Sequence, residues 1–145
     1  GSVVDRRPDG GVMRRASILI VEDDGIIAAD LASRLREFGY DVTATVRRGE
    51  DAVAVARERA PDLVLMDIRL AGSYDGIEAA GMIRRDREIP VVLLTAHSDR
   101  ETMQRAQLAG LADLVPKPFD EHELRTQIER VLDRWSVEHG GPKLR

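Results

Sequence analysis

A chain of 145 residues with a net charge of −4 and no cysteine is long enough for one domain with a buried core. It excludes disulfide frameworks and thiolate metal sites. Its acidic balance runs against the basic surplus of general nucleic-acid binders, and no apolar run approaches the roughly 18 residues of a membrane span.

Gly1-Ser2, with no initiator methionine, resembles the scar of a cleaved expression tag, and no apolar signal core follows, so a cytoplasmic location is expected. Residues 3–15 are rich in Arg, Asp, Gly and Pro without apolar periodicity, which makes residues 1–16 a scar and flexible lead-in. Ile18-Leu19-Ile20-Val21 then reads as a buried strand running into Glu22-Asp23-Asp24. Asp24, directly before Gly25-Ile26-Ile27, is placed to cap a helix. Ile27, Leu31, Leu35 and Phe38 mark the apolar face of that helix, and Gly39 closes it. Val42–Val46 is a more amphipathic strand suited to an edge, and Gly49–Ala60 an alanine-rich helix that ends before Pro61.

Leu63-Val64-Leu65-Met66 forms a third strand ending in Asp67, followed by a helix from about Asp75 to Arg87. Val91-Val92-Leu93-Leu94 ends in Thr95, and a helix from about Asp99 to Ala109 stops at Gly110. Leu114-Val115-Pro116 ends in Lys117-Pro118, with Pro116 removing a donor as an edge strand permits. The last helix carries Leu124, Ile128, Val131 and Trp135 on one stripe. From Ser136 the pattern lapses, so residues 136–145, with Gly140-Gly141-Pro142, read as a flexible tail behind a domain at 17–135. Asp75-x-x-Glu78, Ser98-x-x-Glu101 and Asp120-x-x-Glu123 have the form of capping boxes.

Five strand–helix alternations predict an α/β fold, a doubly wound five-stranded parallel sheet whose ligands bind beyond the carboxyl ends of the strands. Glu22, Asp23, Asp67, Thr95 and Lys117 would then share one small volume. Like charges so close raise each other's pKa and destabilise the fold unless a cation compensates. An oxygen-only set without His or Cys suits Mg²⁺. Taken singly, each residue has a plainer reading: Asp24 is a helix cap, and a lone acid at a strand end is solvated. Lys117 stands out because only it and Lys143 are lysines among 22 basic residues. Where arginine is the default cation, a lysine beside Pro118 suits a site that wants a compact point charge.

Val21-Glu22-Asp23-Asp24, Leu65-Met66-Asp67, Leu94-Thr95-Ala96 and Lys117-Pro118-Phe119 together resemble the receiver domain of two-component response regulators, over about Ser17 to Arg134. The resemblance implies a flavodoxin-like (βα)₅ fold with strand order 2-1-3-4-5. It implies Asp67 as phosphoacceptor for a sensor histidine kinase or histidine phosphotransfer protein. Asp23 and Asp67 would bind Mg²⁺ directly, Glu22 through a water, and the backbone carbonyl of Arg69 would be a further ligand. Thr95 would hydrogen-bond the phosphoryl group, Lys117 would pair with its charge, and small Ala96 would leave it room. Pro118 is implied to follow a cis peptide bond. Such a domain is a signalling protein and no enzyme, catalysing only its own phosphorylation and dephosphorylation. Its output partner, a downstream protein or a second copy of the chain, would meet the face of the fourth helix, fifth strand and fifth helix.

The chain departs from the family pattern in two places. The loop after Asp67 runs one residue longer than the commonest spacing and lacks its methionine-proline pair. Leu114 stands three residues before Lys117, where an aromatic switch residue is common. Arg69 and His97 take the positions that flank the phosphoryl group in similar proteins, while His122 and His139 receive no role. A flavin or nucleotide binder of the same architecture is the main rival, but it needs a glycine- or hydroxyl-rich phosphate loop where this chain has Glu-Asp-Asp-Gly. An aspartyl phosphatase would place Asp-x-Asp after the first strand, which Glu22-Asp23-Asp24 does not match. A stand-alone regulator is expected, with a receiver excised from a hybrid kinase or transcription factor as the alternative.

Overall fold

The structure is a computed structural model that describes residues 5–6, 12–13, 15–70, 72–96 and 100–139. His97, the Ser98 cap, Gly1-Ser2, Gly140-Gly141-Pro142 and Lys143 lie outside the described residues. Five strands, β1 (Ser17–Val21), β2 (Asp41–Val46), β3 (Leu63–Asp67), β4 (Val91–Thr95) and β5 (Leu114–Pro116), alternate with five helices. The helices are α1 (Gly25–Glu37), α2 (Gly49–Arg59), α3 (Gly76–Asp86), α4 (Arg100–Leu108) and α5 (Glu121–His139). All four strand pairings are parallel, in the order β2-β1-β3-β4-β5. This is the doubly wound, flavodoxin-like arrangement that the alternation predicts.

Alternating side chains of the central strands divide the core. Ile18, Ile20, Leu63, Leu65, Val92 and Leu94 pack under α1 and α5. Leu19, Val21, Val64, Met66, Val91 and Leu93 pack under α2, α3 and Ala106 of α4. Every residue of β3 is buried, which is why it reads as an unbroken apolar run until its terminal acid. β2 is the half-exposed edge, and a register shift opposite Ile18 and Leu19 breaks its alternation. At the other edge β5 pairs with β4 alone, so Pro116 costs the ladder nothing there.

Local signals fix the element ends. The Asp24 side chain accepts from the Ile26 and Ile27 amides at 2.9 and 3.2 Å. Asp75 and Glu78 form a complete capping box on α3, and Asp120 accepts from the Glu123 amide at 2.9 Å. α2 ends at Ala60, which takes a left-handed φ of 44° before Pro61. Two boundaries differ from the sequence reading. α5 continues past Trp135 to His139, because Ser136–His139 tolerate helix although none is needed to extend the apolar stripe. In the lead-in, Asp5–Arg6 pairs antiparallel with Val12–Met13, a backbone pairing that leaves no periodicity in so short a segment.

Candidate functional site

The carboxyl ends of β1, β3, β4 and β5 open on one cleft of about 290 Å³. It is lined by Glu22, Asp23, Asp67, Arg69, Thr95, Ala96 and Lys117; of the other site positions singled out in the sequence, Leu114 and Pro118 stand outside it and His97 lies outside the described residues. Topology explains the meeting. β1 and β3 are neighbours at the point where the chain order reverses, so their terminal acids face each other across one strand spacing. Leu114 instead begins β5, half-buried against the core under α2 and α3. The Lys117–Pro118 peptide is cis, with Pro118 itself exposed. Ile27 of α1 and Thr102 of α4 complete the cleft wall, and neither is marked by any sequence signal beyond helical periodicity.

The acids are held apart and together by one cation. Lys117 Nζ lies 2.6 Å from Glu22 Oε1 and 3.3 Å from Asp67 Oδ1. Glu22 is 1% exposed and Asp67 5%. The Asp24 amide donates to Glu22 Oε2 at 3.2 Å and the Arg69 amide to Asp67 Oδ1 at 3.3 Å. The Lys117 amide donates to the Thr95 carbonyl at 2.8 Å, which brings the lysine stem over the end of β4. Burial pushes Glu22 up, but its hydrogen bonds with Lys117, Asp67 and the Asp24 amide outweigh that and hold it below the usual value. Asp67 goes the other way. Burial first, then the neighbouring Glu22 carboxylate, raise it to about 7 against the pull of Lys117.

A carboxyl raised in the folded state binds its proton more tightly there than in the unfolded chain. It therefore favours folding fully below about pH 4, and that contribution is lost as pH climbs to about 7. Asp67→Asn removes this titration. Without divalent cations, its Tm should approach wild type near pH 4 and exceed it increasingly up to pH 7. A Tm difference that stays flat between pH 4 and 8 would contradict the assignment.

Carboxylate oxygens of Glu22, Asp23 and Asp67 all lie within 4.8 Å of one another, and Asp23 is half-buried at the cleft edge. An all-oxygen donor set of this compactness fits a hard divalent ion such as Mg²⁺. Millimolar Mg²⁺ should raise the Tm by several degrees through mass action on the folded state. Asp23→Asn should shrink that rise while increasing the stability of the metal-free protein, since it removes one of three clustered negative charges. Equal Mg²⁺ responses in the two proteins would refute the role of Asp23.

Fold and site together define an α/β domain with a lysine-bridged acidic cleft at the carboxyl ends of its strands. The chain belongs to the response regulator receiver domain family, whose model matches residues 18–129. It is 41% identical over 127 residues to the transcriptional regulatory protein PdtaR of Mycobacterium tuberculosis, covering 88% of this chain and 60% of that one. The chain thus spans about 60% of the length of this curated relative. The signal receiver domain of a modulated diguanylate cyclase from Desulfovibrio desulfuricans G20 superposes with a TM-score of 0.82 at 34% identity, covering 86% of this chain and 99% of that one. The receiver domain of a sensor histidine kinase from Pseudomonas aeruginosa PAO1 gives a TM-score of 0.73 at 34% identity, covering 81% and 98%. That crystal structure has a magnesium ion coordinated in its active site cleft. Among the described residues no helix is long and apolar enough to cross a membrane.

Proposed function

We propose that this receiver domain accepts a phosphoryl group on Asp67, in the cytoplasm, from the phosphohistidine of a sensor histidine kinase or histidine phosphotransfer protein. The observation that carries the reading is the single lysine bridging two buried carboxylates, one of them at the end of the central strand, in a cleft that also opens on Thr95. An Asp67 oxygen attacks phosphorus, an O–P bond forms as the N–P bond breaks, and the electron pair returns to the imidazole. Lys117 pairs with the transferred oxygens, the Thr95 hydroxyl donates to one of them, and Ala96 leaves space beside it. Asp23, Asp67, the Arg69 carbonyl and, indirectly, Glu22 would hold Mg²⁺. When bound, the ion supplies positive charge against the negative oxygens in the transition state. The protein is then a switch and no enzyme toward other substrates.

The output surface is assigned to α4, β5 and α5, where Leu108 is 88% exposed and Leu114 replaces the usual aromatic. A downstream protein or a second copy would dock there. Incubation with acetyl phosphate and Mg²⁺, or with a panel of phosphorylated kinases, should label the wild-type chain. Asp67→Asn should fold normally and take up no label. Persistent labelling of the variant would move the acceptor elsewhere.

A further inference from the structure

The β1–α1 loop is gripped from the edge strand by a side chain outside the reacting set. The β1–β2 ladder ends at Val21 opposite Val46, and the Glu22 amide still donates to the Val46 carbonyl at 3.0 Å. One residue further along each segment stand Asp23 and Arg47. The Arg47 guanidinium donates twice to the Asp23 carbonyl, from Nε at 3.2 Å and Nη2 at 2.9 Å. The same peptide unit is held at its other end, because the Asp24 amide donates to Glu22 Oε2 at 3.2 Å. With oxygen and N–H both fixed, the Asp23–Asp24 peptide plane cannot rotate freely. Holding that plane fixes the stretch of β1–α1 loop from which the Asp23 side chain projects, so only its own χ rotations are left to move the carboxylate relative to Glu22 and Asp67. Capping of α1 by Asp24 pins the next residue in turn.

We propose that Arg47 is a positioning residue for the cation site, aiming the Asp23 carboxylate before the ion arrives. The inference rests on the reading of Glu22, Asp23 and Asp67 as that site. Groups that orient a metal ligand commonly change affinity by 10–100-fold when removed. Arg47 is exposed, so its contribution to metal-free stability should be small.

Charge and bracing predict opposite signs, which makes the proposal testable. A guanidinium near a divalent site repels the ion, so removing its charge alone would tighten binding. Loss of the brace would weaken it. Titration calorimetry of the full chain with Mg²⁺ alone should give a Kd about 10-fold higher for Arg47→Met than for wild type. Arg47→Lys, with one point donor in place of the fork, should fall between them. Arg48→Met removes an equal charge from the exposed neighbour, whose side chain makes no cap hydrogen bond, and should leave Kd unchanged or slightly lower. In the metal-free protein the Asp24 amide should exchange faster in Arg47→Met but not in Arg48→Met. Equal or tighter Mg²⁺ binding by Arg47→Met, or unaltered exchange at Asp24, overturns the brace while leaving the receiver function standing. Absence of Mg²⁺ binding by the wild-type chain overturns the functional reading, and the brace with it.

Discussion

Lys117→Met is expected to cost about 3–5 kcal/mol of folding stability at pH 8 without divalent cations, the range for removing one partner of a buried ion pair. In a domain of this size that lowers the Tm by roughly 10 °C or more. The loss does not come from packing, since methionine keeps most of the stem. It comes from leaving Glu22, 1% exposed, and Asp67, 5% exposed, without the ammonium that lies 2.6 and 3.3 Å away. Two buried carboxylates then face each other, and at least one must take up a proton to stay inside.

Three consequences separate this cause from general damage. The variant should regain stability toward pH 5, as the carboxyls protonate. It should gain more from Mg²⁺ than wild type does, because the ion replaces the missing positive charge. Glu22→Gln, destabilising in wild type through loss of a charged partner, should be stabilising in the Lys117→Met background. Arginine should not substitute, as its planar fork does not fit a site built for a point charge between two acids. Thermal melts across pH, with and without Mg²⁺, decide the matter. A Tm within about 2 °C of wild type at pH 8 would mean that the pair contributes little.

The same lysine shows where sequence reading stops. Its place at a strand end beside Pro118, and its rarity in an arginine-rich chain, were visible in the residues. So are the β3 terminus and the Asp24 and Asp75 caps, because buried parallel strands and helix caps leave one-dimensional signatures, whereas the strand order follows only from the resemblance to receiver domains. What a side chain grips before any ligand arrives is set by tertiary distances and has no such signature. The family resemblance pairs Lys117 with the phosphoryl group, and in the folded chain it also spans Glu22 and Asp67. Nothing in the sequence singles out Arg47 among the arginines, and its fork on the Asp23 carbonyl follows from the β1–β2 register, which no local pattern encodes. The Asp5–Arg6 pairing escaped for a related reason, since two-residue strands carry no periodicity.

Gly76 is the clearest residue of this hidden kind, and Gly76→Ala should be among the most damaging single-methyl changes in the domain. It opens α3, where the sequence offers only the capping box around it. In the fold its amide donates to the Ile68 carbonyl at 2.7 Å, and a Cβ built there would stand 2.0 Å from the Asp67 carbonyl oxygen and 2.7 Å from Ile68 Cα. Those atoms are backbone of the segment that carries Asp67, so they cannot swing aside as a side chain tip would. Either the start of α3 lifts, breaking the Gly76–Ile68 bond, or the end of β3 shifts and misplaces Asp67. Forced overpacking of this sort costs about 3 kcal/mol or more. The matched control lies on the same helix. A Cβ at Gly81 meets nothing within 4 Å, so Gly81→Ala should stabilise α3 by about 1 kcal/mol through helix propensity alone. The two substitutions add the same methyl to one helix and should move Tm in opposite directions. Partly folded Gly76→Ala should also lose Mg²⁺ response, while Gly81→Ala keeps it. If both glycines accept alanine with similar gain, the close approach of α3 to the Asp67 backbone is not what fixes Asp67 in place.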